Sequence, residues 1–334
     1  MSGVTHARVV RDEAGMRLDR WFKARFPGLA FGHLQKLLRK GHIRVDGKRA
    51  KSDTRLAIGQ DVRIPPLGSE TGDRPAGPKS DLPPADEAFI RALVIHKDDT
   101  VIAINKPPGL AVQGGPGIDT HVDGLLDGLR YRADQRPRLV HRLDRETGGV
   151  LLIARTRLAA AALGKALKKR TARKTYWALV HGVPRPAEGR ISTYLKPQPG
   201  QFEGRMMRAR HGDTHAQHAE TLYRVVEQVG SKFSWVALSP VTGRKHQLRV
   251  HMAGIGHPII GDPLYFDVQN WEPPGGIENR LHLHARAISI PHPDGGRLEV
   301  VADLGPRMAA TWALFEFDAG RRDTGVGEPE ERRR

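Results

Sequence analysis

The residues best suited to chemistry lie in the segment HRLDRETGG at residues 141–149, which crowds ionisable groups into a turn just before the apolar run VLLIA. Asp144 lies near its centre, and backbone donors and arginine side chains nearby can keep its carboxylate ionised at neutral pH. An ionised and partly dehydrated carboxylate can act as a nucleophile or as a general base. A surface loop of ion pairs also explains these residues, and both interpretations stay open at this point.

Tyr176, in the segment KTYWA at residues 174–178, could assist such chemistry. Its ring offers a flat face for stacking a nucleobase, and its hydroxyl can take part in proton transfer. An aromatic residue at the start of a core strand is the alternative. The segment NKPPG at residues 105–109 has the composition of a rigid turn, because proline fixes φ and glycine allows a positive φ.

The segment TGRKHQLRVH at residues 242–251 concentrates cationic and hydrogen-bonding side chains. If it forms a strand whose Leu248 and Val250 face the core, strand alternation places Arg249 and His251 on the opposite face. We therefore expect a basic strand face here, which either contributes to a site or is simply solvated.

Other kinds of site find little support in the sequence. The HRLD run is only superficially like a kinase catalytic loop, since Leu143 interrupts it and no phosphate-cradling glycine loop is present. A metal site is not expected, because His282 and His284 have no obvious third ligand and no HExxH motif occurs. Asp144 and Glu146 could form the carboxylate pair of a glycosidase, but nothing marks a partner at the required separation.

Composition narrows the class of protein and of partner. The chain has 334 residues, enough for two domains, and its formal charge of +17 favours a polyanionic partner, either nucleic acid or an anionic membrane face. The absence of cysteine excludes a disulfide framework and is consistent with a reducing cytoplasm. No apolar stretch is long enough for a membrane span, and the N-terminus lacks the apolar core of a signal peptide. We therefore expect a cytoplasmic protein without a membrane partner.

The sequence predicts two folded blocks. In residues 16–66 the apolar spacing predicts two helices followed by a small sheet, with a DG dipeptide marking a hairpin. Residues 67–86 are rich in proline, glycine and serine and predict a flexible linker, and residues 318–334 predict a disordered tail. Residues 87–317 form the larger block.

The larger block contains more strands than helices, and the two do not alternate. This order favours an α+β fold, a mixed sheet with packed helices, over a doubly wound parallel sheet. Apolar runs predict strands at 93–95, 101–104, 150–154, 177–180, 235–238 and 281–285, and an Ala- and Leu-rich stretch predicts a helix at 158–167.

Taken together, the segments of the larger block resemble the RluA-type pseudouridine synthases. The family pattern is KPxG, HRLDxxTSG, KxY, TGRxHQxRxH and HPIxGD, and this chain has the matching segments in that order at residues 106–109, 141–149, 174–176, 242–251 and 257–262. One position departs from the pattern, since Gly148 stands where the family usually has serine. The resemblance implies the pseudouridine synthase fold, a mixed and mainly antiparallel sheet with packed helices.

Residues 16–66 resemble the S4-like RNA-binding domain, a small α+β module that precedes the catalytic domain in family members acting on the large ribosomal subunit. The resemblance rests on RLDR at 17–20, KLLRKGHI at 36–43 and VDG at 45–47. It implies 23S rRNA, or its precursor particle, as the substrate of an enzyme of RluC or RluD type, with RluC favoured.

The resemblance implies an isomerase that breaks the N1–C1′ bond of an everted uridine in RNA, turns the base and rejoins it through C5, with no cofactor and no metal. Asp144 takes the position of the nucleophile, or of the group that stabilises the sugar cation. Tyr176 takes that of the tyrosine that stacks on the uracil and is a candidate base. Arg249 takes that of the cation paired with the aspartate, and we expect a bidentate contact between them. Residues expected to contact RNA are Arg142, which would fill the gap left by the base, Arg244, His246, Lys36, Arg39 and Lys40.

Two other functions stay open from the sequence alone. One is a non-catalytic RNA-binding protein such as a ribosome assembly factor, and the other is a pseudouridine synthase that acts on tRNA. A DNA-binding regulator has no support beyond basic charge. A monomer is the expected oligomeric state.

Overall fold

The computed structural model describes residues 3–26, 28–67, 82–131, 133, 135–200, 204–266 and 275–322. The chain divides into two compact units between residues 81 and 82, except that residues 131–135 and 156–158 cluster with the first. We call them the N-terminal unit and the C-terminal unit. No helix in these ranges has both the length and the apolar character needed to cross a membrane.

The N-terminal unit packs two helices on a four-stranded antiparallel sheet of order β1-β4-β2-β3. Leu18, Trp21 and Phe22 bury one face of the first helix, as their helical spacing predicts. The predicted hairpin is confirmed, because the DG dipeptide adopts the two positive φ angles that a tight turn between β2 and β3 requires. Its elements are β1 Thr5–Arg8, a 3-10 turn at Arg11–Glu13, α1 Leu18–Arg25, α2 Phe31–Arg39, β2 Arg44–Val45, β3 Lys48–Arg49 and β4 Asp61–Ile64.

The second helix of this unit separates its apolar and cationic residues. Leu34, Leu37 and Leu38 are buried against the core, while the cations predicted to bind RNA lie exposed at its C-terminal end. Cations in the last helical turn also interact favourably with the helix dipole.

The C-terminal unit is built on one mixed sheet, so the predicted α+β class is confirmed. Its elements are α3 Pro84–Ala92, β5 Val94–Lys97, β6 Val101–Lys106, α4 Val122–Leu125, a 3-10 helix at Leu126–Leu129, β7 Arg138–Leu139, β8 Gly148–Ala154, α5 Arg157–Lys168, β9 Arg173–His181, β10 Glu188–Pro197, β11 Met206–Ala209, β12 Gln217–Val229, β13 Phe233–Pro240, α6 Gln247–Gly254, β14 Leu283–Pro291, β15 Arg297–Val301 and α7 Pro306–Leu314.

The sheet runs in the order β11-β10-β12-β13-β9-β14-β8-β6-β5, with β15 beside β14 and β7 beside β8. The pairing of β14 with β8 is parallel and the other pairings are antiparallel. Each predicted strand of this block overlaps an observed one, and the predicted helix overlaps α5.

Helices cover both faces of the central strands β9 and β13. On one face, Trp177 and Trp235 pack against Trp312 of α7. On the other face, Leu248 and Met252 of α6 pack among the alternate strand residues. Because successive strand residues point to opposite faces, one pair of strands anchors both helices.

Residues 247–251 form the start of helix α6, so the predicted basic strand is wrong. Leu248 and Met252, four residues apart, provide the apolar contact of one helical face, and a short run of this kind does not distinguish a helix from a strand by periodicity alone. As a result, Arg249 and His251 are not solvated on an opposite face but are both buried.

The predicted linker and tail lie largely outside the described residues, at 68–81 and 323–334. The end of the predicted linker needs correction, because α3 begins at Pro84 and takes in residues 84–86. Proline suits a first helical turn, where its missing N–H costs no hydrogen bond, and Asp86 and Glu87 there interact favourably with the helix dipole.

Candidate active site

A cavity of about 480 Å³ opens between β9, the turn that precedes β8 and the loop that leads into α6. It brings together six of the nine predicted site residues: Asp144, Tyr176, Arg249, Arg142, Arg244 and His246. The other three lie in the N-terminal unit, where Lys36 and Arg39 belong to α2 and Lys40 directly follows it; we call them the cations of α2.

Arg249 makes its bidentate contact with Asp262 and not with Asp144, which corrects the expected geometry. Its Nε and Nη2 donate to the two oxygens of the fully buried Asp262 at 2.7 and 2.6 Å. Its Nη1 lies 3.9 Å from Oδ2 of Asp144. Burial lowers the pKa of the guanidinium, but the hydrogen bonds to Asp262 and the negative charges of Asp262 and Asp144 together hold that pKa above its ordinary value. Arg249 is therefore a fixed cation that leaves Asp144 free of hydrogen bonds from it.

Lys106 fixes the turn that carries Asp144. Its side chain is fully buried, and its Nζ donates to the carbonyl oxygens of Pro107, Leu110 and Arg145 at 2.8–3.0 Å. Burial lowers the pKa of Lys106 to about 8, against the opposing effect of the neighbouring carboxylates. The Lys106 ammonium thus connects the backbone after β6 to the carbonyl of Arg145, the residue that follows Asp144, and we call this connection a clamp.

Gln247 fixes the loop between β13 and α6. Its side-chain oxygen accepts from the hydroxyl of Thr242 at 2.7 Å and from the backbone N–H of Arg244 at 3.1 Å. Its amide nitrogen donates to the carbonyl of Glu220 and to the hydroxyl of Thr221. A buried amide that uses both of its ends in this way rigidifies the loop it serves.

Arg142 and Arg244 occupy different parts of the cavity wall. Arg142 is exposed at the edge of the cavity. Arg244 is half-buried and donates from Nε to the carbonyl of His218 at 3.0 Å, so part of its guanidinium serves the loop itself.

His246 is held in an unusual backbone conformation at the start of α6. Its φ of 53° and ψ of 19° lie in the left-handed region that residues other than glycine rarely adopt. Its Nδ1 lies 2.8 Å from the hydroxyl of Tyr265, and its Nε2 lies 4.0 Å from Oδ2 of Asp144. Burial lowers the pKa of His246 to about 4, so the ring is neutral at pH 7 and carries one proton.

The hydrogen bonds of Tyr265 decide which nitrogen of His246 carries that proton. The backbone N–H of Met206 donates to the Tyr265 hydroxyl oxygen at 2.8 Å. Among the hydrogen bonds of the described residues, Nδ1 of His246 is the acceptor available to the hydroxyl proton, so we predict that the ring proton lies on Nε2. In that tautomer His246 presents an uncharged N–H donor towards Asp144.

Tyr176 is in its neutral phenol form. Burial and then the negative charge of Asp144 raise the pKa of the hydroxyl well above its ordinary value. The ring is available for stacking, but a resting phenolate is disfavoured, which weakens the expectation that Tyr176 is a base.

The sequence motifs include Lys106, Lys174, Gln247 and Asp262 but do not predict the roles of these residues in the site, and Tyr265 lies outside the motifs. The sequence around Asp262 contains a signal for a buried carboxylate, because Asp262 follows the apolar run at 258–260 with only Gly261 between them. The other roles depend on contacts between segments far apart in the chain.

Comparisons with known proteins agree on one family. A family model described as RNA pseudouridylate synthase matches residues 100–254. Ribosomal large subunit pseudouridine synthase C of Escherichia coli (strain K12) is 36% identical over 307 residues, which cover 89% of this chain and 92% of that protein. The protein of the same name from Vibrio vulnificus (strain CMCP6) is 34% identical over 300 residues, with the same two coverages.

A solved structure agrees as well. Human RNA Pseudouridylate Synthase Domain Containing 4 superposes with a TM-score of 0.59 at 28% identity, covering 70% of this chain and 97% of that one.

The buried histidines predict that the protein loses stability in acid. Burial lowers the pKa of His251 and of His284 from 6.5 to about 4. The native state therefore binds fewer protons than the unfolded state between these values, so the free energy of unfolding falls as the pH drops below 6.5. One such histidine lowers the free energy of unfolding by about 2 kcal/mol between pH 7 and pH 5.

We expect urea unfolding to show a smaller loss of stability in acid for His251→Asn than for the wild type. Equal losses would contradict this assignment.

The network around Tyr265 predicts the tautomer of His246. Long-range ¹⁵N–¹H NMR at pH 7 should show the proton on Nε2 in the wild type. In Tyr265→Phe the donor to Nδ1 is lost, and we expect a mixture of tautomers. His246→Asn identifies the resonance. A wild-type spectrum with the proton on Nδ1 would refute the proposed network.

Proposed function

The chain belongs to the RluA-type RNA pseudouridylate synthase family, and from that premise we propose that this isomerase converts specific uridines of large-subunit rRNA to pseudouridine, with Asp144 as its catalytic carboxylate. The observation that carries the assignment of Asp144 is that one cavity holds this carboxylate, a fixed guanidinium and a neutral phenol.

The reaction is an isomerisation, so the product has the same composition as the uridine, although the hydrogen on C5 is exchanged for one on N1. The N1–C1′ bond breaks and the electron pair leaves with the uracil, while Asp144 attacks C1′ or stabilises the sugar cation. The base turns and C5 bonds to C1′, and any bond between Asp144 and C1′ breaks in this step and returns the carboxylate. The proton on C5 is then lost while N1 gains one. Positive charge develops at the sugar when a bond to C1′ breaks or forms, and an anionic carboxylate beside C1′ lowers the energy of that charge.

The proposed role of Arg249 follows from its pairing with Asp262. A guanidinium 3.9 Å from the carboxylate attracts it electrostatically without covering its oxygens. Because both of its bidentate contacts go to Asp262, the nucleophilic oxygens remain accessible to the sugar. Arg249 acts in this scheme as an electrostatic partner.

Three side chains are proposed to receive the everted uridine. Tyr176 stacks on the uracil as a neutral ring. Arg142, exposed at the edge of the cavity, fills the gap left in the RNA, which offsets part of the few kcal/mol that eversion costs. His246 offers its Nε2–H either to Asp144 or to the nucleotide.

The assignment to large-subunit rRNA is supported by the names of the relatives, by the +17 charge and by the exposed cations of α2. A tRNA target and a non-catalytic assembly factor remain the alternatives. The filled family positions at Asp144, Tyr176 and Arg249 favour catalysis. The cytoplasmic location and the monomeric state stay predictions.

The variant Asp144→Asn tests the catalytic role. Asparagine keeps the shape of the side chain but removes the charge, so we expect pseudouridine formation to fall at least about a thousandfold, equivalent to about 4 kcal/mol of barrier. RNA affinity should stay within about threefold, which is less than about 1 kcal/mol. Tritium release from 5-³H-uridine in rRNA measures the rate. Glu146→Gln, a neighbouring carboxylate paired with Arg145, is the control and should retain activity. Wild-type turnover in Asp144→Asn would remove Asp144 from the mechanism.

The cations of α2 predict a charge-dependent contribution to rRNA binding. Replacing Lys36, Arg39 and Lys40 together by glutamine should weaken binding and lower the slope of log affinity against log salt by about 2, since three phosphate contacts are lost. The turnover rate at saturating RNA should not change. Lys23→Gln on α1, an exposed cation of the same unit, is the control. An unchanged salt slope in the triple variant would contradict this role.

A further inference from the structure

Lys174 is a cation in the cavity wall for which the mechanism above has no role. It lies on β9, is half-buried and faces the same cavity as Tyr176. Within the described residues no carboxylate forms an ion pair with it and no acceptor receives a hydrogen bond from it. Its Nζ lies beside Gly243, 3.9 Å from the position that a Cβ would take there, so the bare backbone of Gly243 borders the ammonium.

The other buried cations of the C-terminal unit have partners. Lys106 donates to three carbonyl oxygens, Arg249 pairs with Asp262, and Arg286 donates to the carbonyls of Ala302 and Ala319 and to the carboxylate of Asp303. A half-buried ammonium without such a partner loses hydration and gains nothing in exchange, so it destabilises the free protein. An anion that enters the cavity with its substrate would supply the missing partner.

The described residues around Lys174 provide no carboxylate partner. Among the described residues that line the cavity, the one carboxylate is Asp144, which lies beside Arg249 and His246. His141, next to Lys174, stays uncharged, because burial and then the charge of Lys174 lower the pKa of its ring to about 3. His141 also accepts the backbone N–H of Leu152 through Nε2, so that nitrogen is not available to the ammonium.

We propose that Lys174 forms a phosphate subsite that binds a phosphate group flanking the target uridine. Two residues along a strand span about 7 Å on one face, so Lys174 and Tyr176 can contact the phosphate and the base of the same nucleotide. The proposal rests on the proposed function, since it takes RNA as the ligand. In this proposal the contact between Lys174 and the phosphate contributes to substrate binding, and its free energy helps to offset the cost of everting the uridine.

The test combines a protein variant with RNA that lacks one phosphate charge. The RNA is a fragment of whichever cellular transcript loses pseudouridine in a deletion strain, with a methylphosphonate placed either directly 5′ or directly 3′ of the target. In the wild type, one of the two substitutions should weaken binding about tenfold, as expected for a lost lysine–phosphate contact. Lys174→Met should weaken binding of the natural RNA to a similar extent and should show no further loss with that methylphosphonate. Its salt slope should fall by about 0.7, as expected for one contact to single-stranded RNA.

Matched variants distinguish the loss of the contact between Lys174 and the phosphate from a general loss of positive charge and from a failure to fold. Lys232→Met removes an exposed lysine at the end of β13 remote from the cavity and should still be penalised by the methylphosphonate. Lys174→Arg keeps the charge and should retain most of the binding. Lys174→Gln replaces the methionine variant if that variant does not fold.

Three results would overturn the subsite. In the first, neither methylphosphonate weakens binding by the wild type. In the second, Lys174→Met suffers the full methylphosphonate penalty. In the third, the turnover rate falls while RNA affinity is unchanged, which would assign Lys174 to proton transfer. A target in tRNA would refute the rRNA assignment alone and leave this experiment to be run on tRNA.

Discussion

The cavity depends on one fully buried ion pair, between Arg249 and Asp262. Two charges removed from water are stable only when their hydrogen bonds are satisfied, and the two parallel bonds of this pair meet that condition. Without Asp262, the most favourable partner for Arg249 would be Asp144, and a bidentate grip there would occupy both oxygens of the carboxylate. Asp262 therefore allows Asp144 to lie beside a cation and still present its oxygens to a substrate.

The cations near this pair have different functions. Lys106 holds backbone carbonyls and so fixes the turn of Asp144, and Arg249 sets the local potential. Uncharged groups complete the site, since His246 and Tyr176 are both neutral at pH 7. Asp144 is the one carboxylate among the described residues that line the cavity. A wall of this composition attracts RNA without a second carboxylate that would repel it.

The sequence predicts the strands of the sheet well, and it predicts the site through resemblance more than through local pattern. The run VLLIA reads as a buried strand because all of its residues are apolar, and β8 is buried along its whole length. Residue type alone makes Asp144 and Tyr176 candidates, the family motifs give them and Arg249 their expected roles, and the structure brings the three together in one cavity. Neither the helical state of α6 nor the partner of Arg249 could be predicted, because both are decided by packing against strands distant in the sequence.

The departure at Gly148 can be explained by a second residue in the same region. A Cβ added to Gly148 would lie 3.1 Å from Cδ of Pro108 and 3.2 Å from the carbonyl oxygen of Lys106, closer than ordinary van der Waals contact. Pro108 occupies the variable position of the KPxG turn, so a serine at 148 would press against a ring that the family pattern does not require. Glycine at 148 gives this ring the space it needs, and the clamp formed by Lys106 stays closed around the turn of Asp144. The two positions are thus in close packing contact, and a side chain at 148 requires Pro108 and the carbonyl of Lys106 to shift by a small amount.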